Sequence, residues 1–577
     1  MKTVYQIILF TFICTVANAN LYKADKMFER WEYSRAVRLY EKSANRHPVP
    51  ETYYKIGQCY QKMNHYQQAE DAYRKVDQSG TFADAEFYLH YGEVLRNNGK
   101  DAEAKSAFDR YDELNPGNNH AEFYRTSIEI VTEDHTYDEP IDVENVAALN
   151  SEGADFSLVK YREGFVFAST RKNARHTLTY PWNGQPYLDL YYATKNSNGV
   201  DFAGAENFDS KINQKYHDGP ATFSSDYNTM YFTRVEHDLK NKDRKNGYDV
   251  DQCKIYESHY EDGSWSDPVE FRWNSKSYSV ANPVLSRDNT KLYFVSDMEG
   301  GYGETDIWYC TKESDGQWGV PKNMGSSVNT FGTEKFPSED SLGNFYFSSN
   351  GYMGFGGLDI CVALNKGGSL EKAKPMKSPF NSSFDDLAIT FTKDQRVGYL
   401  SSNRTSGGKG DDDFYYFNLD NDNVDSTLVT SIYTIGYRPT MKPIVSVAPH
   451  DSTLDVTPGI FSMAYIGKIY FDYNKSELRP SSQRTLDSVI DYMNTNPSKK
   501  IVLGGHCDIR GTADYNMKLS AQRNQAAINY LTSKGISKGR ISATAYGFSR
   551  LVNGCTKDVI CPEDQHQLNR RVEFKFE

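Results

Sequence analysis

Residues Gly504 to Arg523 read GGHCDIRGTADYNMKLSAQR, and further on stands the run Asn569-Arg570-Arg571-Val572-Glu573. The residues just before it, Lys499-Lys500-Ile501-Val502-Leu503, form a short apolar run that stops at two glycines, which predicts a buried strand ending in a turn. From Tyr515 onward, Leu519, Ala526, Ala527, Tyr530 and Leu531 recur at helical spacing, so Arg523 is predicted to sit on a helix that starts just beyond the Asp508 loop. A carboxylate and a guanidinium are therefore expected to face one cleft. Such a pair suits a zwitterion: Asp508 can accept from an ammonium, while the planar fork of Arg523 can grip a carboxylate with two parallel bonds. The structural alternative is that Asp508 and Arg523 form a salt bridge with each other.

These residues resemble the peptidoglycan-binding domain of the OmpA-like family, whose pattern runs GHTD, a Gly, YN, LS, R and finally NRRVE. The matching positions are Gly505-His506-Cys507-Asp508, Gly511, Tyr515-Asn516, Leu519-Ser520, Arg523 and Asn569 to Glu573, with Ile469-Tyr470-Phe471-Asp472 where the family has its FDFD-like strand. The likeness runs from Ile469 to Glu577. It implies that Asp508 and Arg523 hold the zwitterionic end of meso-diaminopimelate in the stem peptide of the cell wall, and it extends the peptidoglycan-binding set to Asp472, Asn516, Leu519 and Arg571. The departure is Cys507, where the family usually has Thr.

A chain of 577 residues exceeds what one hydrophobic core serves, so three or more domains are expected. Only 38% of residues are apolar, and beyond the N-terminal stretch nothing approaches 18 consecutive apolar residues, so no transmembrane helix is predicted. The net charge of −12 argues against nucleic acid, which needs clustered Lys and Arg. Residues 1–19, MKTVYQIILFTFICTVANA, have Lys2, an apolar run and Ala17-Asn18-Ala19, the pattern of a secretory signal peptide. Cys14 falls inside that run, without a small residue just before it. Among the other cysteines, Cys555 and Cys561 are expected to form a local disulfide, which an oxidising periplasm permits. No metal site and no cofactor are predicted, because a zinc site would need a second ligand pair.

From residue 20 to 130 the text repeats. Ala24, Gly57 and Gly92 each stand twelve residues before Ala36, Ala69 and Ala104, and Tyr40, Tyr73 and Phe108 follow those alanines by four. Small residues at two fixed places let paired helices approach, with an aromatic filling the gap beside them. The pattern resembles tetratricopeptide repeats, three units long. From 135 to 420 the composition turns to Tyr, Phe, Ser, Asn, Gly and Asp, and five versions of one strand appear at Phe165–Ser169, Met230–Thr233, Leu292–Ser296, Phe345–Ser349 and Gly398–Ser402. Each has a partner, at Asp189–Tyr191, Lys254–Tyr256, Asp306–Trp308, Asp359–Cys361 and Asp413–Tyr415. These units resemble the WD40-like blades of TolB-type propellers, which implies five or six blades. The glycine-rich segments Gly300–Asp306, Gly354–Asp359 and Gly407–Asp413 read as turns rather than as calcium or phosphate loops. Residues 421–461 carry Pro439, Pro443, Pro449 and Pro458 and read as a linker, and 462–577 reads as an α/β domain.

The expected architecture is therefore multidomain: α-helical tetratricopeptide repeats, an all-β propeller, then an α/β OmpA-like domain. That order resembles PorE-type accessory proteins of the Bacteroidota type IX secretion and gliding machinery. The resemblance implies a periplasmic, outer-membrane-associated scaffold, not an enzyme, that ties a protein complex to peptidoglycan while its repeats and propeller bind protein. The rival is a glycan- or peptide-processing enzyme, or a lectin, held at the wall by the same domain. No G-x-S-x-G, no H-E-x-x-H and no paired His with a nucleophile stands in the sequence.

Overall fold

The structure is a computed structural model. It describes residues 21–82, 84–115, 120–133, 143–172, 178–196, 202–235, 252–392, 397–405, 407–419, 466–479, 482–551 apart from 484–485, 487–488, 491–492 and 495–496, then 566 and 569–576. The signal segment, the 421–461 linker and the Cys555–Cys561 pairing lie outside these residues. The described residues of 1–296, 307–322 and 335–437 make one compact unit, and those of 297–306, 323–334 and 438–577 make a second.

The first unit begins with helices over residues 21–29, Tyr33–Ala44, Pro50–Lys62, Tyr66–Ser79, Ala85–Asn97, Asp101–Leu114 and His120–Glu133. The repeat pattern predicted close helix contacts at its glycines, and these contacts form. A Cβ on Gly57 would come within 2.1 Å of the Tyr73 ring, and one on Gly92 within 2.4 Å of the Phe108 ring. Both aromatic rings are fully buried. Each glycine thus makes the space its aromatic partner fills, which is why the two residue types recur together.

Five sheets follow, four of them four-stranded and one five-stranded, and each predicted strand pair lies at the centre of one of them. The first holds Asp155–Tyr161, Gly164–Ser169, Asp189–Lys195 and Phe202–Asn207. The last holds Asp386–Phe391, Val397–Ser402 and Asp413–Asn418, and its fourth strand comes from the start of the region: Val143, Glu144 and Asn145 pair with Phe417, Tyr416 and Tyr415. The aromatic residues of the central strands are core, as Phe167, Phe232, Phe294, Phe347 and Tyr399 show. The glycine-rich segments are turns closed by a carboxylate: Tyr302 N donates to Asp306, Gly356 N to Asp359, and Lys409 N and Gly410 N to Asp413.

A second repeated device was not legible beforehand. Asp155, Asp218 and Asp386, each on the first strand of its sheet, accept the backbone N–H four residues earlier, from Ser151, Gln214 and Ser382. Each also pairs with an arginine from the following strand or the turn beyond it: Arg171 at 2.6 Å, Arg234 at 2.6 Å, and Arg404. The carboxylates are fully buried, so the arginine is what makes their charge tolerable. Within this same unit the helices are fastened to the sheets. The buried Arg96 donates to Gly354 O and Gly356 O, Tyr66 Oη donates to Asp385 at 3.1 Å, and Trp182 Nε1 donates to Lys62 O at 2.8 Å.

In the second unit a four-stranded sheet runs in the order Ile466–Tyr470, Arg571–Phe576, Ile501–Gly505, Ile541–Ala545. Ile501–Gly505 pairs parallel with Ile541–Ala545 and antiparallel with Arg571–Phe576. Alternate residues Ile469, Phe471, Ile501, Leu503, Val572 and Phe574 are buried, and Leu486, Val489, Ile490, Met493, Ala527 and Leu531 join them in one core. The helix Ala513–Ser533 carries Arg523, as predicted.

Candidate functional site

The strand Ile501–Gly505 ends at a glycine because the following helix crosses it there: a Cβ on Gly505 would lie 2.3 Å from Ser520 O. His506, Cys507 and Asp508 leave the sheet edge, and Gly511 turns the chain with φ of +93°, a conformation that glycine adopts without a Cβ penalty. Thr512 then caps the helix, its hydroxyl accepting from Tyr515 N. Asn516, on the buried face, donates from Nδ2 to Arg510 O at 2.7 Å and so ties the loop to the helix that follows it.

Asp508 and Arg523 are both buried, at 3% and 0% exposure, but they do not form the salt bridge that the structural alternative required. Asp508 is held instead by two other arginines. Arg510 Nη2 donates to its Oδ2 at 2.6 Å and Arg570 Nη1 to the same oxygen at 3.0 Å, while Arg510 N donates to Oδ1 at 3.1 Å. Burial works against the Asp508 charge, but these hydrogen bonds prevail and keep the carboxyl below its ordinary range.

The Arg523 fork is filled by the chain itself. Its Nε donates to Lys475 O at 3.0 Å, its Nη1 to His506 O at 2.8 Å and Cys507 Sγ at 3.4 Å, and its Nη2 to Asp472 O at 3.3 Å. Four of the five N–H groups of an arginine are thereby engaged. In this structure the guanidinium expected on the wall of a cleft is occupied by acceptors of its own chain. Arg523 draws together the loop after the first strand, the loop after Gly505 and its own helix, because a buried guanidinium is stable only when surrounded by acceptors. Cys507 serves both ends of this arrangement: its Sγ accepts from Arg523 and donates to Asn516 O at 3.3 Å, and burial pushes its thiol up to about 11.

The other predicted site residues divide. Asp472 is half-exposed and accepts from Arg479 at 2.6 Å and Lys475 at 3.5 Å, next to the loop that Arg523 fixes. Leu519 is buried on the helix. Arg571 belongs to a different cluster: it pairs with Glu573 at 2.7 Å and donates to Arg550 O. There the buried His506 stacks on Tyr546, with its Nε2 3.7 Å from Glu573. Sequence reasoning missed Arg510, Arg570 and Arg479 as partners of the two carboxylates. Arg570 was visible inside the terminal motif, but nothing in the spacing says which of two adjacent arginines turns toward Asp508. Among the described residues no group of three His, Cys, Asp or Glu side chains converges as a metal site.

Comparison with known proteins places this geometry. Residues 470–560 match the model of the OmpA family, and residues 50–118 match that of YpiA-like, C-terminal tetratricopeptide repeats. The chain is similar to a peptidoglycan-associated lipoprotein of Mesorhizobium japonicum, 37% identical over 108 residues, which cover 18% of this chain and 64% of that protein. Over 113 residues it is 34% identical to outer membrane protein P5 of Haemophilus influenzae, covering 20% of this chain but only 31% of that one. A peptidoglycan-associated lipoprotein of Brucella melitensis is 33% identical over 115 residues, 19% of this chain and 68% of its own length. Among solved structures, the peptidoglycan-associated lipoprotein from Burkholderia pseudomallei is 24% identical, with 19% of this chain and 89% of that one covered at a TM-score of 0.18. Through residues 470–560 the chain belongs to the OmpA family.

Proposed function

We propose that this protein is a scaffold at the outer membrane, on its periplasmic side, that holds a protein complex to peptidoglycan through residues 462–577. The single observation that carries this reading is the Asp508 carboxylate, nearly buried, held in its charged form by hydrogen bonds from Arg510 and Arg570, and set in a loop that Asn516 ties to the following helix. Such a preorganised anion is suited to an ammonium group. The relatives' names supply the ligand class, since two of the three sequence relatives described above are peptidoglycan-associated lipoproteins. On this reading the ammonium belongs to meso-diaminopimelate of the stem peptide. Asp472, Asn516, Leu519, Arg523 and Arg571 shape and support the site.

The five sheets are read as the blades of a five-bladed propeller, with Val143–Asn145 completing the last blade and so joining the two ends of the ring. The repeats and the propeller recruit protein and turn over no substrate. The complex they serve is assigned to a secretion or gliding assembly of the type IX class. The full-length protein should co-sediment with purified sacculi, and Asp508→Asn should weaken binding of a soluble diaminopimelate-containing tripeptide by about tenfold or more, the worth of one charged hydrogen bond. Sedimentation that persists after deletion of 462–577 would place the wall contact elsewhere.

A further inference from the structure

The helical repeats supply their own control. The register that aligns Ala36, Ala69 and Ala104 also aligns Trp31 with Asn64 and Gly99, each in the turn between the two helices of its unit. All three lie in the left-handed region, with φ of +59°, +60° and +71°. Their hydrogen bonds match. Trp31 N donates to Phe28 O and Glu32 N to Met27 O; Asn64 N donates to Gln61 O and His65 N to Tyr60 O; Gly99 N donates to Arg96 O and Lys100 N to Leu95 O. Glycine and asparagine tolerate this conformation, whereas a bulky aromatic residue is strained in it. Trp31 nevertheless occupies it and is 48% exposed, meeting Trp182 edge-on with ring centroids 6.3 Å apart. A strained backbone that carries a half-exposed indole points to a use outside the fold.

The same register isolates a row of cations. Arg35, Arg38, Lys42 and Arg46 lie on the helix Tyr33–Ala44 and the turn just past it, within about 80° of arc at roughly 100° per residue. This face is opposite the buried Tyr33, Ala36, Val37 and Tyr40, and all four cations are exposed. Arg35 pairs with Glu32 at 2.9 Å, and the other three have no ion pair among the described residues. The corresponding residues are Gln68, Asp71, Lys75 and Ser79 in the second unit and Glu103, Ser106, Arg110 and Leu114 in the third, with one cation each. The repeat therefore does not require the row. Like charges four residues apart also weaken a helix, so the row is kept at a cost. Residues 21–47 hold seven Lys and Arg against four Asp and Glu, in a chain of net charge −12.

We propose that this face of the first repeat, headed by Trp31 and formed by Arg35, Arg38, Lys42 and Arg46, docks on a bilayer surface that carries anionic phospholipid. Cations on long flexible stems suit phosphate headgroups, which move freely and impose no fixed geometry. Tryptophan settles at the level of the headgroups, where its ring meets apolar matter and its N–H meets water. An anionic bilayer attracts this face and repels the acidic remainder of the chain, so the charge asymmetry also orients the molecule. The contact belongs to residues 21–47 and stands whether or not residues 462–577 bind the wall.

Co-sedimentation with lipid vesicles tests this on the chain from Asn20 onward, without the apolar signal segment expected at 1–19. The protein should bind vesicles of equal parts phosphatidylglycerol and phosphatidylcholine about tenfold or more tightly than vesicles of phosphatidylcholine alone, and added salt should erase the difference. Changing Arg38, Lys42 and Arg46 together to Gln should weaken binding by about tenfold or more, since one cation near an anionic surface is worth about fivefold. Arg38→Lys with Arg46→Lys keeps the charges and should keep the affinity, because headgroups do not require the guanidinium fork. Trp31→Asn should weaken binding by about threefold or more without lowering the midpoint of thermal unfolding, because the backbone strain is relieved. Equal binding to both kinds of vesicle, or undiminished binding after the triple glutamine change, would overturn the proposal. Loss of binding in the lysine variant would also overturn it and assign the row to an acidic protein surface. Unchanged affinity with a lowered midpoint in Trp31→Asn would make Trp31 a structural residue and remove it from the contact.

Discussion

Removing the guanidinium of Arg523 would strand Lys475 O, His506 O and Asp472 O, three carbonyls gathered at the centre of the loop cluster. Each carbonyl left without a donor in a buried place costs roughly 1–3 kcal/mol. Arg523→Ala is therefore expected to lower the stability of the second unit by about 3 kcal/mol or more, seen as a lower midpoint in urea unfolding. A variant of unchanged midpoint would mean that water replaces the side chain without loss. His506 gives a pH-dependent counterpart. Burial, reinforced by the Arg571 cation, pushes its imidazole down to about 4 from the ordinary 6.5. Between these values the unfolded chain binds the proton more readily, so the stability is complete above about pH 6.5 and is lost as the pH falls toward 4. The slope attributable to one such group is at most about 1.4 kcal/mol per pH unit. Unfolding of the native protein and of His506→Gln across pH 7 to 4 should show the native slope reduced in the variant, and parallel curves would exclude His506 as its source.

At the scale of the element, the helical repeats depend on the absence of a single carbon atom. Gly57→Ala would set a methyl 2.1 Å from the Tyr73 ring, an overlap that the fully buried Tyr73 can relieve only by moving the helices apart. Overpacking of this kind costs about 1–3 kcal/mol, which outweighs the roughly 1 kcal/mol that alanine gains over glycine as a helix former. Thermal unfolding followed by circular dichroism should therefore show a lower transition for Gly57→Ala, and a raised one would mean that the helix contact is looser than its geometry. The sheets rely on a different device. Asp218 meets Arg234 at 2.6 Å with both side chains buried, so Arg234→Met leaves a carboxylate with no cationic partner. The expected loss is about 3–5 kcal/mol, and a double variant with Asp218→Asn should recover part of it.

At the scale of the whole molecule, the first unit is one body because the helices and sheets share buried polar contacts. Arg96 sits at the end of Ala85–Asn97 and donates to two glycine carbonyls of the 354–356 turn, some 260 residues away. Arg96→Ala should weaken the coupling of the helical array to the sheets, so that thermal unfolding of the protein starts at a lower temperature than in the native chain. An unchanged onset would show that Tyr66, Trp182 and the apolar contact of Ile130 and Val131 with Met353 and Phe355 suffice. A rigid mount of this sort fits a scaffold, since a partner bound by the repeats would be held at a fixed place relative to the sheets.

The order of elements and most of their cores were written in the sequence, because helices and strands are set by local periodicity and by residues spaced a few positions apart. The glycine and aromatic pairs of the repeats, the five strand pairs with their glycine-rich turns, the helix that carries Arg523 and the OmpA-family motif all follow from such short-range signals. Long-range partners do not. That Val143–Asn145 pairs with Asp413–Asn418, that Arg96 reaches the 354–356 turn, and that Asp508 is held by Arg510 and Arg570 rather than by Arg523 depend on which surfaces meet after folding. A guanidinium reads the same in the sequence whether it will grip a ligand or its own backbone. Here Arg523, at 0% exposure, finds acceptors in its own backbone, and burial exists only in the tertiary structure.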